Sequence, residues 1–72
     1  MDPRHLLQLA AVLDTGSLTA AARHLGLTQS TLTRNMATLE MQAAGALFAR
    51  SRFGDRSTPL GEALAREGRL VQ

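Results

Sequence analysis

Gln29, Ser30, Thr33 and Arg34 set an amide, two hydroxyls and a guanidinium within six consecutive residues. An amide and a guanidinium can each form two parallel hydrogen bonds with a planar edge. Gln pairs in this way with adenine N6 and N7 and Arg with guanine O6 and N7, whereas Ser and Thr hydroxyls discriminate less. Ser17 and Thr28 stand where each can cap a helix by accepting a free backbone N–H of its first turn. A capped helix start also leaves N–H groups pointing outward, a seat for phosphate, and Thr19 and Thr31 can add hydroxyl contacts to the same backbone. Further along, Arg50, Arg52 and Arg56 fall within seven residues against one acid, Asp55. An ordinary solvated helix face and a basic loop would show the same residue types. The elements that carry these residues therefore decide.

Residues 16–40 read GSLTAAARHLGLTQSTLTRNMATLE, two short helices joined by a tight turn. Leu18, Ala21, Ala22 and Leu25 recur at i, i+3, i+4 and i+7, one buried face of the first helix. Gly26 follows as a stop, since it takes a left-handed conformation without a Cβ penalty. Thr28 caps the second helix, residues 28–43. There Leu32, Met36, Leu39 and Ala43 share one side, and Ser30, Arg34, Ala37 and Met41 the other. This is the layout of a helix-turn-helix whose second helix enters the DNA major groove.

Upstream, Asp2 is a good N-cap and Pro3 suits the first helical position. Leu6, Leu9, Ala10 and Leu13 form the stripe of that helix, which ends at Thr15-Gly16. Downstream, the helix over 28–43 is expected to fray near Ala44-Gly45. Leu47-Phe48 reads as a core anchor, and residues 48–58 as a small hairpin, or wing, turning at Gly54-Asp55. Its arginines would track phosphates or a minor groove. Thr58-Pro59 repeats the cap-then-Pro signal and opens a last helix, with Leu60, Ala63, Leu64 and Val71 on one side. Glu62, Arg66, Glu67 and Arg69 read as i,i+3 and i,i+4 decoration of it.

Composition narrows the function classes. Seventy-two residues, 44% of them hydrophobic but with two Phe and no Trp or Tyr, allow one small domain whose core is Leu and Ala. There is no Cys, hence no disulfide or thiolate metal site, and His5 and His24 lack partner ligands, so no metal is expected. No apolar run approaches the roughly 20 residues that span a bilayer, and MDPRHLL lacks a secretory core. A soluble, cytoplasmic protein with no membrane partner is the expectation. All eight cations are Arg and the net charge is +2. No nucleophile–base pair, carboxylate dyad or Gly-rich phosphate loop is present, so an enzyme is the weakest reading.

The MDxRxL start, the stretch at 16–40, LFAR at 47–50, and Thr58 with GEAL at 61–64 resemble the N-terminal winged helix-turn-helix of LysR-type transcriptional regulators. The resemblance covers nearly the whole chain. It implies a mainly α fold with a three-helix core, a small β wing and a C-terminal linker helix. The DNA-binding domain would occupy residues 1–58 and the start of the linker and dimerisation helix residues 59–72. Members are bacterial regulators whose linker helix leads to a larger effector-binding domain, so this chain would be a fragment. It would carry no cofactor, because a small-molecule effector would bind the domain that is absent. Paired linker helices imply a homodimer through Leu60, Ala63, Leu64 and Val71, on an operator that is an imperfect inverted repeat. Departures from the family pattern are Ser30 in place of Pro, Thr33 in place of Ser, and Phe53 where Arg is common, so that Arg52 would take over. Ala37 and Thr38 stand where a basic residue often follows, and Gly45 comes one place late after Ala43-Ala44. Two rival readings remain, another winged-helix DNA binder (a simple repressor or recombinase arm) and a helical protein-interaction bundle that never touches DNA.

Overall fold

In a computed structural model of the protein, which describes residues 2–51 and 54–71, each helix starts on a side chain that stops its first N–H groups from being orphaned. Helix α1 (Pro3–Thr15) begins with the Arg4 N–H donating to Asp2 Oδ1 at 2.9 Å. Ser17 Oγ accepts from the Ala20 N–H at 3.2 Å to open α2 (Leu18–Leu25). Thr28 Oγ1 accepts from the Thr31 N–H at 3.1 Å to open α3 (Gln29–Ala43). Thr58 Oγ1 does the same for α4 (Pro59–Val71), accepting from the Gly61 N–H at 3.0 Å. Each such cap contributes about 1 kcal/mol. All four were legible because a cap is a contact across two or three residues.

Helices α1 and α2 stop where a left-handed residue is cheapest, at Gly16 (φ 75°) and Gly26 (φ 72°). Helix α3 does not fray at Ala44-Gly45 as its sequence suggests. Ala44 itself takes φ 58°, its N–H donates to Met41 O, and the Gly45 N–H donates to Glu40 O at 3.2 Å. This pair of reverse hydrogen bonds ends the helix cleanly. A left-handed Ala costs about 1–2 kcal/mol. A Cβ on Gly45 would lie 2.9 Å from Leu60 Cδ2, the far end of an exposed side chain that can turn aside.

The core gathers around α1, which packs against α2, α3, α4 and the second strand. Leu9, Val12, Leu32, Met36, Leu39 and Leu47 are fully buried, and Leu6, Ala10, Leu18, Ala21, Ala22 and Ala65 complete the cluster. Leu13, Leu25 and Ala43 lean on it from its edge. Val12, absent from the expected stripe, is among the six. The wing is a two-stranded antiparallel hairpin of β1 (Phe48–Ser51) and β2 (Gly54–Ser57). Phe48 pairs with Ser57 and Ser51 with Gly54. Gly54 and Asp55, expected at the turn, therefore lie in β2. The base of the hairpin sets this register: Leu47 is buried, the Thr58 N–H donates to Leu47 O and Thr58 Oγ1 to Ala46 O at 2.7 Å. Positions 52 and 53, between the two strands, lie outside the described residues.

Helix α4 turns a different face inward from the leucine stripe that its sequence advertises. Gly61, Ala65 and Gly68 are buried, Leu64 is half-buried against the core, and Leu60 and Ala63 are exposed. The Val71 side chain lies outside the described residues. A Cβ on Gly68 would meet Leu6 O at 2.7 Å, and one on Gly61 would meet Leu47 O at 1.8 Å. The approach is backbone to backbone, which only Gly permits. Arg69, expected to decorate α4, instead reaches across to pair with Asp14 of α1. Among the described residues no helix is long and apolar enough to cross a membrane.

Candidate nucleic-acid interface

Burial of Leu32, Met36 and Leu39 fixes the roll of α3 and leaves Gln29, Ser30, Thr33, Arg34, Ala37, Thr38 and Met41 exposed on its other side. All four residues expected to meet base edges thus share an outward surface over the first two turns. Two polar clamps hold the helix from behind. Asn35 Nδ2 donates to Gln8 Oε1 of α1 at 2.9 Å, and Glu40 Oε2 accepts from the Leu47 N–H at 2.9 Å. Sequence reasoning missed both, since their partners lie 27 and 7 residues away. A polar residue flanking a buried stripe, such as Asn35 beside Met36, was the available signal.

The helix starts carry a hydroxyl network. Thr28 Oγ1 accepts the Thr31 N–H and donates its own proton to Thr31 Oγ1 at 2.8 Å, with Ser30 Oγ 3.4 Å away. The Thr28 proton is thereby engaged inside the cap, and outward donation falls to its neighbours. Thr19 makes a contact between the two helices. Its hydroxyl, expected on the DNA backbone, donates to Gln29 Oε1 at 3.0 Å and ties the first turn of α2 to that of α3. Ser17 is half-buried at its cap, as expected of a helix start.

Charge is distributed unevenly. Residues 15–39 contain Arg23 and Arg34 and no acid, while the other six arginines are matched by all six acids. Residues 15–39 therefore carry +2, and the next acid is Glu40, whose carboxylate is engaged at the Leu47 N–H. Elsewhere two cations are physically paired among the described residues, Arg4 with Asp2 and Arg69 with Asp14. Arg4 forks onto Asp2, Nη2 to Oδ2 at 3.0 Å and Nε to Oδ1 at 3.3 Å, which holds the Asp2 carboxyl below the usual carboxylate range. Arg34 has no ion-pair partner among the described residues. In the wing, Arg56 is exposed and pairs across the strands with exposed Ala49, on the face opposite Phe48, which packs on the core. Arg50 stands opposite Asp55 in the register. The side chain of Arg50, and Arg52 altogether, lie outside the described residues.

An amide, hydroxyls and a guanidinium along an acid-free helix face, held rigid from behind and flanked by a cationic hairpin, can hydrogen-bond a polyanion with patterned edges. Residues 3–62 match the model of the bacterial regulatory helix-turn-helix proteins of the lysR family. The chain is 48% identical over 61 residues to a small neutral protease regulatory protein of Streptomyces coelicolor, covering 85% of this chain and 19% of that protein. It is 45% identical over 62 residues to a probable HTH-type transcriptional regulator, LrrA, of Synechococcus elongatus, covering 86% and 21%. The chain spans about a fifth of the length of these curated relatives. Among solved structures, a CbnR DBD–DNA complex superposes with a TM-score of 0.91 at 34% identity, covering 99% of this chain and 82% of that one.

Proposed function

The chain belongs to the lysR family of bacterial regulatory helix-turn-helix proteins, and from that premise we propose that it is the sequence-specific DNA-binding module of a transcriptional regulator, not an enzyme. One observation carries the reading. The outward face of α3 presents Gln29, Ser30, Thr33 and Arg34 while its opposite face is locked into the core, within a run, residues 15–39, that has two arginines and no acid. In the major groove these four side chains read base edges, Arg34 forking onto a guanine. The first turns of α2 and α3, capped by Ser17 and Thr28 and with Thr31 as a hydroxyl donor, sit on phosphates, and the wing arginines hold the flanking backbone. The superposed complex of CbnR DBD contains DNA, which supports the same partner for this chain.

Exposed Leu60, Ala63 and Leu70 on α4 suit a twofold pairing of two copies in a longer regulator. The operator is then an imperfect inverted repeat with half-sites about one helical turn apart. An effector would bind a further domain of that regulator, and this module takes no cofactor. A helical protein-interaction bundle would leave the acid-free polar face of α3 without a use.

A salt titration of binding to bacterial promoter DNA tests the proposal. The logarithm of the association constant should fall linearly with the logarithm of salt concentration. Arg56→Ala should weaken all sequences alike and flatten the slope by about one unit. Binding that is absent, or indifferent to salt, would overturn the reading.

A further inference from the structure

The hydrogen bond between Thr19 and Gln29 decides which edge of a base Gln29 can meet. Gln carries one acceptor oxygen and an NH2 with two donors, branching from a single carbon. Thr19 Oγ1 donates to Gln29 Oε1 at 3.0 Å, so the oxygen branch turns toward α2 and Nε2 is the branch that turns away. Both residues are exposed, and the neighbouring hydroxyls of Thr28, Ser30 and Thr31 are grouped with one another. Nothing among these contacts holds Nε2. Resting on the DNA-reading face proposed above, we infer that Thr19 is a specificity-determining positioning residue: it turns Gln29 into a presenter of donors.

The bidentate contact of Gln with adenine requires the oxygen to accept from N6 while the nitrogen donates to N7. A Gln whose oxygen is held by Thr19 cannot bring both branches to that edge. Its NH2 suits acceptors, guanine through O6 and N7 or thymine through O4. Adenine offers N7 alone, beside an N6 donor that opposes the donor amide. Gln29 therefore selects guanine or thymine over adenine at its base pair, and Thr19 sets that preference without touching the base.

The test selects sites from a randomised double-stranded oligonucleotide pool with the 72-residue chain and with Q29A, T19V and T19S. The position whose preference flattens in Q29A is the one Gln29 reads. In the wild type that position should hold guanine or thymine, and binding to duplexes carrying each of the four bases there tells the two apart. T19V keeps the side-chain shape but frees Oε1. It should lower the preference for the acceptor base over adenine by about three- to tenfold, the worth of one net hydrogen bond. T19S keeps the hydroxyl and should keep the wild-type preference. A merely structural Thr19 would lower affinity for every site equally and leave that preference alone. Adenine at the Gln29 position in the wild type, a T19V preference that does not move, or a Q29A that flattens nothing overturns the role of Thr19 and leaves DNA reading intact. A wild-type chain that enriches no sequence overturns the DNA reading, and this inference with it.

Discussion

Between α2 and α3 the chain keeps ordinary side chains in contact and turns its polar groups outward; between α1 and α4 it brings two backbones almost together. Leu18, Ala21 and Ala22 of the first pair are buried with Leu32, Met36 and Leu39, and the outer face of α3 is exposed. In the second pair Gly68 of α4 lies on Leu6 O of α1, and one face of α4, Gly61, Ala65 and Gly68, is buried, with Gly61 on the Leu47 backbone just before β1. Charge follows the same division. Asp2 meets Arg4 and Asp14 meets Arg69 around α1 and α4, whereas residues 15–39 carry two arginines and no acid. Close backbone contact and paired charges make a scaffold. Separated polar groups and unpaired cations leave a surface with capacity to bind.

Substitutions that act on one pair and spare the other can break this division. The largest effect is expected for Gly61→Ala, whose new Cβ would fall 1.8 Å from a backbone oxygen that cannot swing aside. Overpacking against backbone should cost about 3 kcal/mol, of which better helix propensity returns at most about 1. Urea denaturation measures this, and an unchanged midpoint would mean that α4 does not press on the Leu47 backbone.

Arg34→Ala should do the reverse. It should weaken specific binding by about 2 kcal/mol, relax the preference at one base pair, and leave stability within about 0.5 kcal/mol of wild type. Competition with single-base operator variants reads the first effect and thermal unfolding the second. A loss of stability comparable to that of Gly61→Ala would erase the distinction between surface and scaffold.

The smallest change falls at the joint between the two pairs. Ala44→Gly relieves a left-handed Ala at the end of α3, offset by added freedom of the unfolded chain, for a gain of about 1 kcal/mol. Thermal unfolding should show a midpoint higher by about 4 °C or somewhat more, as expected for a domain of this size. A lower midpoint would mean that the φ of Ala44 stores no strain.

What the sequence determined by itself is the set of features whose causes lie within a few residues. Asp2, Ser17, Thr28 and Thr58 announced the four helix starts because each bonds an N–H two or three residues on. Gly26 announced the turn, and the spacing of Leu32, Met36 and Leu39 told which side of α3 faces out, so the positions of Gln29, Ser30, Thr33 and Arg34 were legible. Tertiary structure alone decided the rest. The inward face of α4 was not legible because periodicity weighs apolar side chains, and the glycines of its seam have none. The wing turn follows from Thr58 binding Ala46 and Leu47, which pins both arms before the turn residues have a say. The Thr19–Gln29 hydrogen bond and the Glu40 clamp join residues 10 and 7 positions apart. Such contacts depend on the distance between elements once packed, and that distance is a property of the assembled core, not of any one segment.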